Sequence, residues 1–374
     1  MESVTRSHTL SLGIVGLPNS GKSTLFNALT KKSVPAQNYP FCTIDKNVGV
    51  VEIPDKRLER MASFFKAQKI VPSAMTFVDI AGLVKGASQG EGLGNQFLSH
   101  IREVDVILYV LRAFKSEEIV HVYNRVDPID DFEIVQSELI IKDIESVEKR
   151  YDTVKRNSRP GITDEMQLEL DTLQSVLKGL NEGIPAIDIK LTDEQRDIVR
   201  NLWLLTNKQR VFILNCKEGL EEEKMEEWKN KLGEISGDMG YKYILEVDVK
   251  LLSDLASMGE EELNEYIELL GKQPITVEDV IMNAYNRLNL LTFYTGSEKE
   301  CNAWSIESGA NIKSAAGVIH TDLGKNFITA DVVNIEEMID IGGWNRAKEE
   351  GLIRNHGKEY IVKDGEYIVI LANT

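Results

Sequence analysis

The chain has 374 residues, with 43 Lys and Arg against 60 Asp and Glu, giving a net charge of −17. That length exceeds one ordinary domain. The acid excess excludes a protein that holds nucleic acid by bulk charge, so any such contact needs a local basic patch. With 42% hydrophobic and 28% charged residues, the composition is that of a globular protein with real cores rather than a disordered chain. No apolar run approaches the roughly 20 residues of a membrane span, and residues 1–9 carry no apolar signal core. Cys42, Cys216 and Cys301 are far apart, which excludes a disulfide framework and a CxxC metal site and suits a reducing, cytoplasmic compartment.

Leu10–Val15 reads as an apolar strand and Lys22–Thr30 as a helix. Between and into them, Gly16-Leu17-Pro18-Asn19-Ser20-Gly21-Lys22-Ser23-Thr24 matches GxxxxGK[ST] in the context this motif requires. Glycines let the backbone curl so that its N–H groups converge on one anion, and the helix N-terminus adds partial positive charge. Asn19, Ser20, Gly21, Lys22, Ser23 and Thr24 are therefore expected to hold phosphate, with Lys22 reaching the β- and γ-phosphates and the Ser23 hydroxyl ligating Mg2+. Thr43, in Asn38-Tyr39-Pro40-Phe41-Cys42-Thr43, is the natural second hydroxyl ligand of that ion. The next strand, residues 75–80, closes on Asp79-Ile80-Ala81-Gly82. There Asp79 can hold Mg2+ through water, and Gly82 lets a backbone N–H approach the γ-phosphate. DxxG alone is a weak pattern; after a phosphate loop, at a strand end, it is specific.

Further strands are expected at 104–111, 211–214 and 243–249. Strands alternating with helices predict a mostly parallel, helix-flanked sheet. In the gap, Ile140, Ile144, Val147, Tyr151 and Val154 repeat at heptad spacing. After a Pro-Gly turn, Met166, Leu170, Leu173, Leu177 and Leu180 do so again, which predicts an antiparallel helical hairpin inserted over 131–205. The alternative is that these helices flank one larger sheet. Thr192 with Gln195 predicts a capping box opening a third helix through Leu205. From about residue 289 the pattern changes to short strands, at 292–294, 302–306, 327–333 and 359–370, with Asp364-Gly365 as a tight hairpin turn.

Taken together, the loop 16–30, the segment 38–45, the run 79–105 and the segment 318–328 resemble the Obg-like ATPase (YchF) family, within the OBG-type P-loop NTPases of the TRAFAC class, over nearly the whole chain. The ending at 368–374 is similar to eukaryotic members. The resemblance implies an α/β architecture. A discontinuous Ras-like nucleotide domain (9–130 and 206–285) would carry an inserted antiparallel α-helical coiled-coil hairpin (131–205) and a C-terminal ubiquitin-like β-grasp TGS domain (289–374).

GTPases read guanine with an N/TKxD motif whose Asp accepts two hydrogen bonds from the base, a donor pair adenine lacks. Here the strand ends Asn215-Cys216-Lys217-Glu218, with Glu where Asp is expected. This resembles the family's NxxE variant and implies ATP, with Asn215, the backbone around Cys216 and Glu218 at the base; the alternative is that Asn215 caps a strand end. The later loop, usually Ser-Ala-Lys, reads Asp248-Val249-Lys250. Leu83 stands where Ras-type enzymes place a Gln to orient water. His100 is the family-type candidate for that work, beside the reading in which it only caps or packs a helix. Asn19 is a candidate to bind K+ beside the phosphates. The helical segment is net acidic, yet Lys149, Arg150, Lys155, Arg156 and Arg159 crowd its turn, either as an RNA contact or as a solvated helix end. The expected function is slow hydrolysis of ATP to ADP and phosphate as a switch associated with ribosomes. An Obg-class GTPase and a nucleotide-gated binding factor are the alternatives.

Overall fold

In the computed structural model of the chain, the described residues are 10–31, 48–80, 102, 104–116, 119, 121–158, 161–217, 221–238, 240–271 and 273–373. The elements run β1 (Leu10–Val15), α1 (Lys22–Thr30), β2 (Val48–Glu52), α2 (Lys56–Phe65), β3 (Lys69–Val71), β4 (Ala74–Asp79) and β5 (Val106–Arg112). The helices α3 (Pro128–Asn157), α4 (Asp164–Asn181) and α5 (Asp193–Arg200) follow. Then come β6 (Gln209–Asn215), α6 (Glu222–Ser236), β7 (Ile244–Val247), α7 (Val249–Leu255), α8 (Glu260–Leu270) and α9 (Val277–Arg287). The last block holds β8 (Leu290–Gly296), β9 (Glu300–Glu307), α10 (Ile312–Ile319), α11 (Thr321–Lys325), β10 (Phe327–Asn334), α12 (Ile335–Asp340), α13 (Trp344–Glu349), β11 (Arg354–His356) and β12 (Glu366–Ala372).

The first sheet has the order β2-β4-β1-β5-β6-β7, parallel except for β2 against β4. Its central strands are apolar on both faces because helices cover both, and all seven residues of β5 are buried. Leu12, Ile14 and Leu108 pack with Leu25, Leu29, Leu252 and Ile281 on one side. Ile107, Tyr109 and Phe212 pack with Phe132, Val135, Leu139 and Trp228 on the other. Because β1 lies between β4 and β5, the strand order reverses beside it, and the carboxyl ends of β1, β4 and β6 open on one crevice. The strand expected at 243–249 ends at Val247, since Asp248 caps α7 through Lys250 N and Leu251 N.

Helix α3 serves two cores. Asp127 caps it, accepting from Ile129 N and Asp130 N, with Pro128 in the first turn. Phe132, Val135 and Leu139 pack on the sheet, while Val147 and Val154 pack against Leu173, Val176 and Leu180 of α4. The two helices pack against each other, and Arg150 Nε meets Glu169 Oε1 between them at 2.7 Å. Buried Asp143 ties α3 to the helical turn that leads into β6: it accepts Leu205 N (2.8 Å), Thr206 N (2.8 Å) and Thr206 Oγ1 (2.7 Å). The capping box of Thr192 and Gln195 forms, but α5 stops at Arg200 rather than running to Leu205. Trp203 at φ 53° turns the chain so that Leu204 and Leu205 go inside and Thr206 reaches Asp143.

The second sheet has the order β11-β10-β12-β8-β9-β3. The Asp364-Gly365 turn does not join two strands of a hairpin as expected. Strand β12 begins only at Glu366 and runs antiparallel to β10 and parallel to β8. Asp364 instead accepts Thr292 N at 2.8 Å and pairs with Arg57. The sixth strand comes from far upstream: β3 runs parallel to β9, with Ile70 opposite Cys301. With it comes α2, whose Leu58, Met61 and Ala62 are buried among Tyr294, Ala303, Val333, Ile335 and Met338. Residues 55–71, expected to belong to the nucleotide unit, therefore complete the C-terminal one. A polar seam lies alongside, where Tyr285 Oη is 2.9 Å from Thr292 Oγ1 and from Ser305 Oγ, and Ser73 Oγ is 2.6 Å from Ser305 Oγ. Residues 289–374 expressed alone should therefore lack a cooperative thermal transition by circular dichroism. In the whole chain Met61→Ala should cost about 2–5 kcal/mol in urea unfolding, the range for a buried methionine truncation.

Candidate functional site

The loop between β1 and α1 lies at the crevice, and two glycines permit its shape. Gly16 has φ +155°, and a Cβ there would stand 2.4 Å from Val110 O. Gly21 has φ +106°, and a Cβ there would stand 2.4 Å from Asn215 Nδ2. Asn19 takes positive φ as well, at 63°, and Asn tolerates that region better than most residues. The loop thus curls tightly and delivers the N-terminus of α1 to the crevice, a ready anion site.

Lys22 is only 8% exposed, and its Nζ donates to Leu17 O at 2.9 Å, so the ammonium folds back over its own loop. Burial lowers its pKa, and the charge of Asp79 opposes that. Asp79, at the end of β4, is pushed upward by its own burial, against Lys22 and the Ser23 hydroxyl. Ser23 Oγ donates to Asp79 Oδ2 at 3.3 Å. Among the described residues, neither the buried Asp79 Oδ1 nor the buried Ser20 Oγ has a hydrogen-bond partner. A hydroxyl and a carboxylate with an unspent buried oxygen form a hard-oxygen donor set, which fits Mg2+. Ser23 and Asp79 would hold that ion. Both Lys22 and Asp79 carry burial costs that a bound phosphate and cation would offset.

Asn215 ends β6 and is 6% exposed. Its Nδ2 donates to Ser20 O at 2.8 Å, and its Oδ1 accepts Val249 N at 3.2 Å. The amide therefore clamps the phosphate loop to the start of α7. Sequence reasoning expected Asn215 at the base or capping a strand end and missed this role, since its partners are 195 and 34 residues away. Cys216 is half-buried and its N–H is spent on Val247 O at 3.0 Å. Beside it, Lys217 Nζ lies 5.1 Å from the centre of the Phe114 ring, and the buried Arg112 guanidinium stands 4.6 Å from the same ring. Asp248 and Lys250 do local work, as helix cap and as partner of Asp254 at 2.9 Å.

The structure thus brings Asn19, Ser20, Gly21, Lys22, Ser23, Thr24, Asp79, Asn215 and Cys216 to the carboxyl ends of β1, β4 and β6. Thr43, Gly82, His100 and Glu218 lie outside the described residues. The cations of the hairpin turn are not one free cluster. Arg150 is paired with Glu169, Arg156 Nε donates to Asp152 O, and Lys155 lies 5.5 Å from the Tyr151 ring centre. Lys149 lines a cleft of about 800 Å³ with Arg102, Arg150 and Glu169, and Arg159 lies outside the described residues.

If Asn215 acts as a clamp rather than a base reader, Asn215→Ala should weaken binding of tripolyphosphate, which has no base, by about thirtyfold, since two buried hydrogen bonds of about 1 kcal/mol each are lost. Unchanged tripolyphosphate affinity in a competition titration would return Asn215 to base reading alone.

Residues 290–373 match the YchF-GTPase C-terminal family, described as a protein of unknown function (DUF933), and residues 11–149 match the family described as 50S ribosome-binding GTPase. The Ribosome-binding ATPase YchF of Bacillus subtilis (strain 168) is 42% identical over 360 residues, covering 96% of this chain and 98% of that one. Its namesake from Escherichia coli O157:H7 is 42% identical over 362 residues, with coverage of 96% and 98%. The solved structure described as the Schizosaccharomyces pombe YchF GTPase is 35% identical, covers 97% of this chain and 98% of its own, and superposes with a TM-score of 0.82. Eukaryotic membership, expected from the ending at 368–374, finds no support, since the bacterial relatives stand at higher identity than the yeast protein. With relatives this similar along almost its entire length, the chain belongs to the YchF family.

Proposed function

We propose that this chain is a Mg2+-dependent P-loop ATPase that slowly hydrolyses ATP to ADP and phosphate and acts as a nucleotide-dependent switch on the ribosome, in the cytoplasm. The observation that carries this reading is the clamped loop at residues 16–24, with Lys22 buried at its centre and Ser23 beside the unspent oxygen of Asp79. Its curled backbone, the start of α1 and Lys22 bind the triphosphate. Ser23 and Asp79, with Thr43, would hold Mg2+, which would supply neutralisation of the charge that develops on the transferred phosphoryl group. Water attacks the γ-phosphorus in line, the bond to the β–γ bridging oxygen breaks, and ADP and phosphate leave. Gly82 supplies a backbone N–H to the γ-phosphate and His100 orients the water, because Leu83 has no group to do so. Turnover is accordingly slow without a partner. Asn19 completes a K+ site beside the phosphates.

ATP is favoured over GTP because Glu218 replaces the guanine-reading Asp, and a longer carboxylate does not keep the same geometry against the ring. The relatives' own descriptions differ here, ATPase for the bacterial proteins and GTPase for the yeast structure, so the base is the deciding measurement. The ribosome enters from the printed name of the bacterial relatives. The hairpin of α3 and α4 is the family's coiled coil, inserted over 131–205 between the nucleotide-domain segments 9–130 and 206–285. Residues 289–374 form the TGS domain, with α2 and β3 lent to it. Lys149, Lys155 and Arg156 are the cations left to touch RNA phosphates near the hairpin turn, with Arg159 beside them in sequence.

Isothermal titration should give ATP a dissociation constant at least about tenfold below that of GTP, or about 1.4 kcal/mol; tighter GTP binding would sink the ATPase reading. Lys22→Ala should lower ATP affinity roughly 10- to 100-fold through loss of a charge-assisted contact. Chelating Mg2+ should stop turnover. His100→Ala should slow turnover while leaving ATP affinity in place. If ribosome co-sedimentation is lost in Lys22→Ala and kept in His100→Ala, nucleotide occupancy rather than hydrolysis sets the switch.

A further inference from the structure

Strands β5 and β6 end side by side at the crevice, with Arg112 opposite Asn215 and Ala113 N bonded to Asn215 O at 2.8 Å. Arg112 is the last residue of β5 and is 2% exposed. A guanidinium in such a place is costly, and an apolar side chain of similar length would pack there without that cost. Burial lowers its pKa, and the charge of buried Asp131 opposes that. Asp131 is itself held by His121 Nε2 at 2.9 Å and by Arg125 Nη1 at 3.1 Å. Arg112 uses its donors on the chain leaving β5. Its Nε donates to Phe114 O at 3.1 Å and its Nη2 to Ile119 O at 2.8 Å, so one rigid planar fork holds two backbone carbonyls. The guanidinium also lies over the Phe114 ring, 4.6 Å from its centre. Phe114, itself buried, is thus fixed at both backbone and ring.

Phe114 in turn meets the chain leaving β6. Lys217 Nζ lies over the same ring, 5.1 Å from its centre. In sequence Lys217 stands between Cys216 and Glu218, which the reading above assigns to the base. The lysine of a guanine-reading N/TKxD motif directly follows the motif's first residue, whereas here it comes one place later. At that later place its ammonium is held on Phe114. We propose that Arg112 is a positioning residue for base recognition: it sets Phe114, Phe114 pins Lys217, and the pinned Lys217 fixes the backbone that meets the base. This deepens the ATP reading above and rests on its assignment of Cys216 and Glu218 to the base. It also separates two jobs at the end of β6. Asn215 orders the loop that holds the phosphates, and the column of Arg112, Phe114 and Lys217 orders the residues that follow Asn215. The two act on different parts of one ligand, so a ligand lacking its base tells them apart.

The test titrates the whole chain with ATP, GTP and tripolyphosphate. Arg112→Met removes the fork and keeps an unbranched side chain in its place. Its ATP affinity should fall about tenfold, and its tripolyphosphate affinity should stay within about twofold of the wild type. The ratio of ATP to GTP affinity should fall toward one. Lys217→Ala alters a half-buried side chain and covers the case in which Arg112→Met fails to fold. It should repeat the pattern more weakly, and Lys217→Arg, which keeps a cation for the ring, should behave as the wild type. Equal losses of ATP and tripolyphosphate affinity would make Arg112 a structural staple and overturn the proposal. Unchanged ATP affinity in a folded Arg112→Met chain, or in Lys217→Ala, would also overturn it. A wild-type chain that binds GTP more tightly would overturn the ATP reading alone. The positioning role would then stand if the variants lose GTP affinity and spare tripolyphosphate, and fall if they do not.

Discussion

The molecule turns on one side-chain amide. Asn215 links Ser20 O of the phosphate loop to Val249 N at the head of α7, and so joins β1, β6 and the last helices of the first sheet at a single buried point. Neither link is individually large, since a buried hydrogen bond contributes about 1 kcal/mol net. Its importance is positional. A loop that must present several N–H groups to one anion loses affinity if it is free to uncurl, and the order of such a loop has to be supplied before the ligand arrives. The two glycines make the curled path accessible, and Asn215 holds the chain on it. Gly21 and Asn215 are coupled directly, because a Cβ at residue 21 would occupy the space of the amide.

The electrostatics of the crevice follow from the same packing. Drawing Lys22 and Asp79 out of water penalises both charges, and their mutual attraction offsets only part of that cost. The arrangement is therefore poised to gain from a phosphate and a divalent cation, each of which supplies the counter-charge the protein withholds. This also explains how an acidic chain holds a polyanion. The local field comes from oriented N–H groups and one buried ammonium, and net charge acts at longer range, where salt screens it.

The architecture distributes rigidity unevenly. Helix α3 is continuous from the core of the first sheet to the end of the hairpin, and Asp143 fastens its middle to the chain entering β6, the strand that ends in Asn215. The hairpin is thus mechanically continuous with the nucleotide crevice. The second sheet is fastened by a different device: α2 and β3, part of the connection between β2 and β4, are built into its core and its edge.

The loop at residues 16–24 was legible in the sequence because anion recognition at a helix N-terminus needs contiguous residues. The glycines, Lys22 and Ser23 sit within one short stretch, and strand and helix signals on either side place them. The two heptad stripes were legible for the same reason, since the spacing is a local property and residues it selects share one core in the structure. What only tertiary structure decided were interactions across long separations. The apolar face of α2 announces that Leu58 and Met61 are buried, but nothing in its periodicity says against which sheet. Asp364-Gly365 has turn chemistry, yet its carboxylate is committed to Thr292 N and Arg57 rather than to a hairpin. Asn215 could be read as a polar residue at a strand end. That it is a clamp depends on where Ser20 and Val249 come to rest, which is set by sheet order and helix packing rather than by any residue adjacent to it.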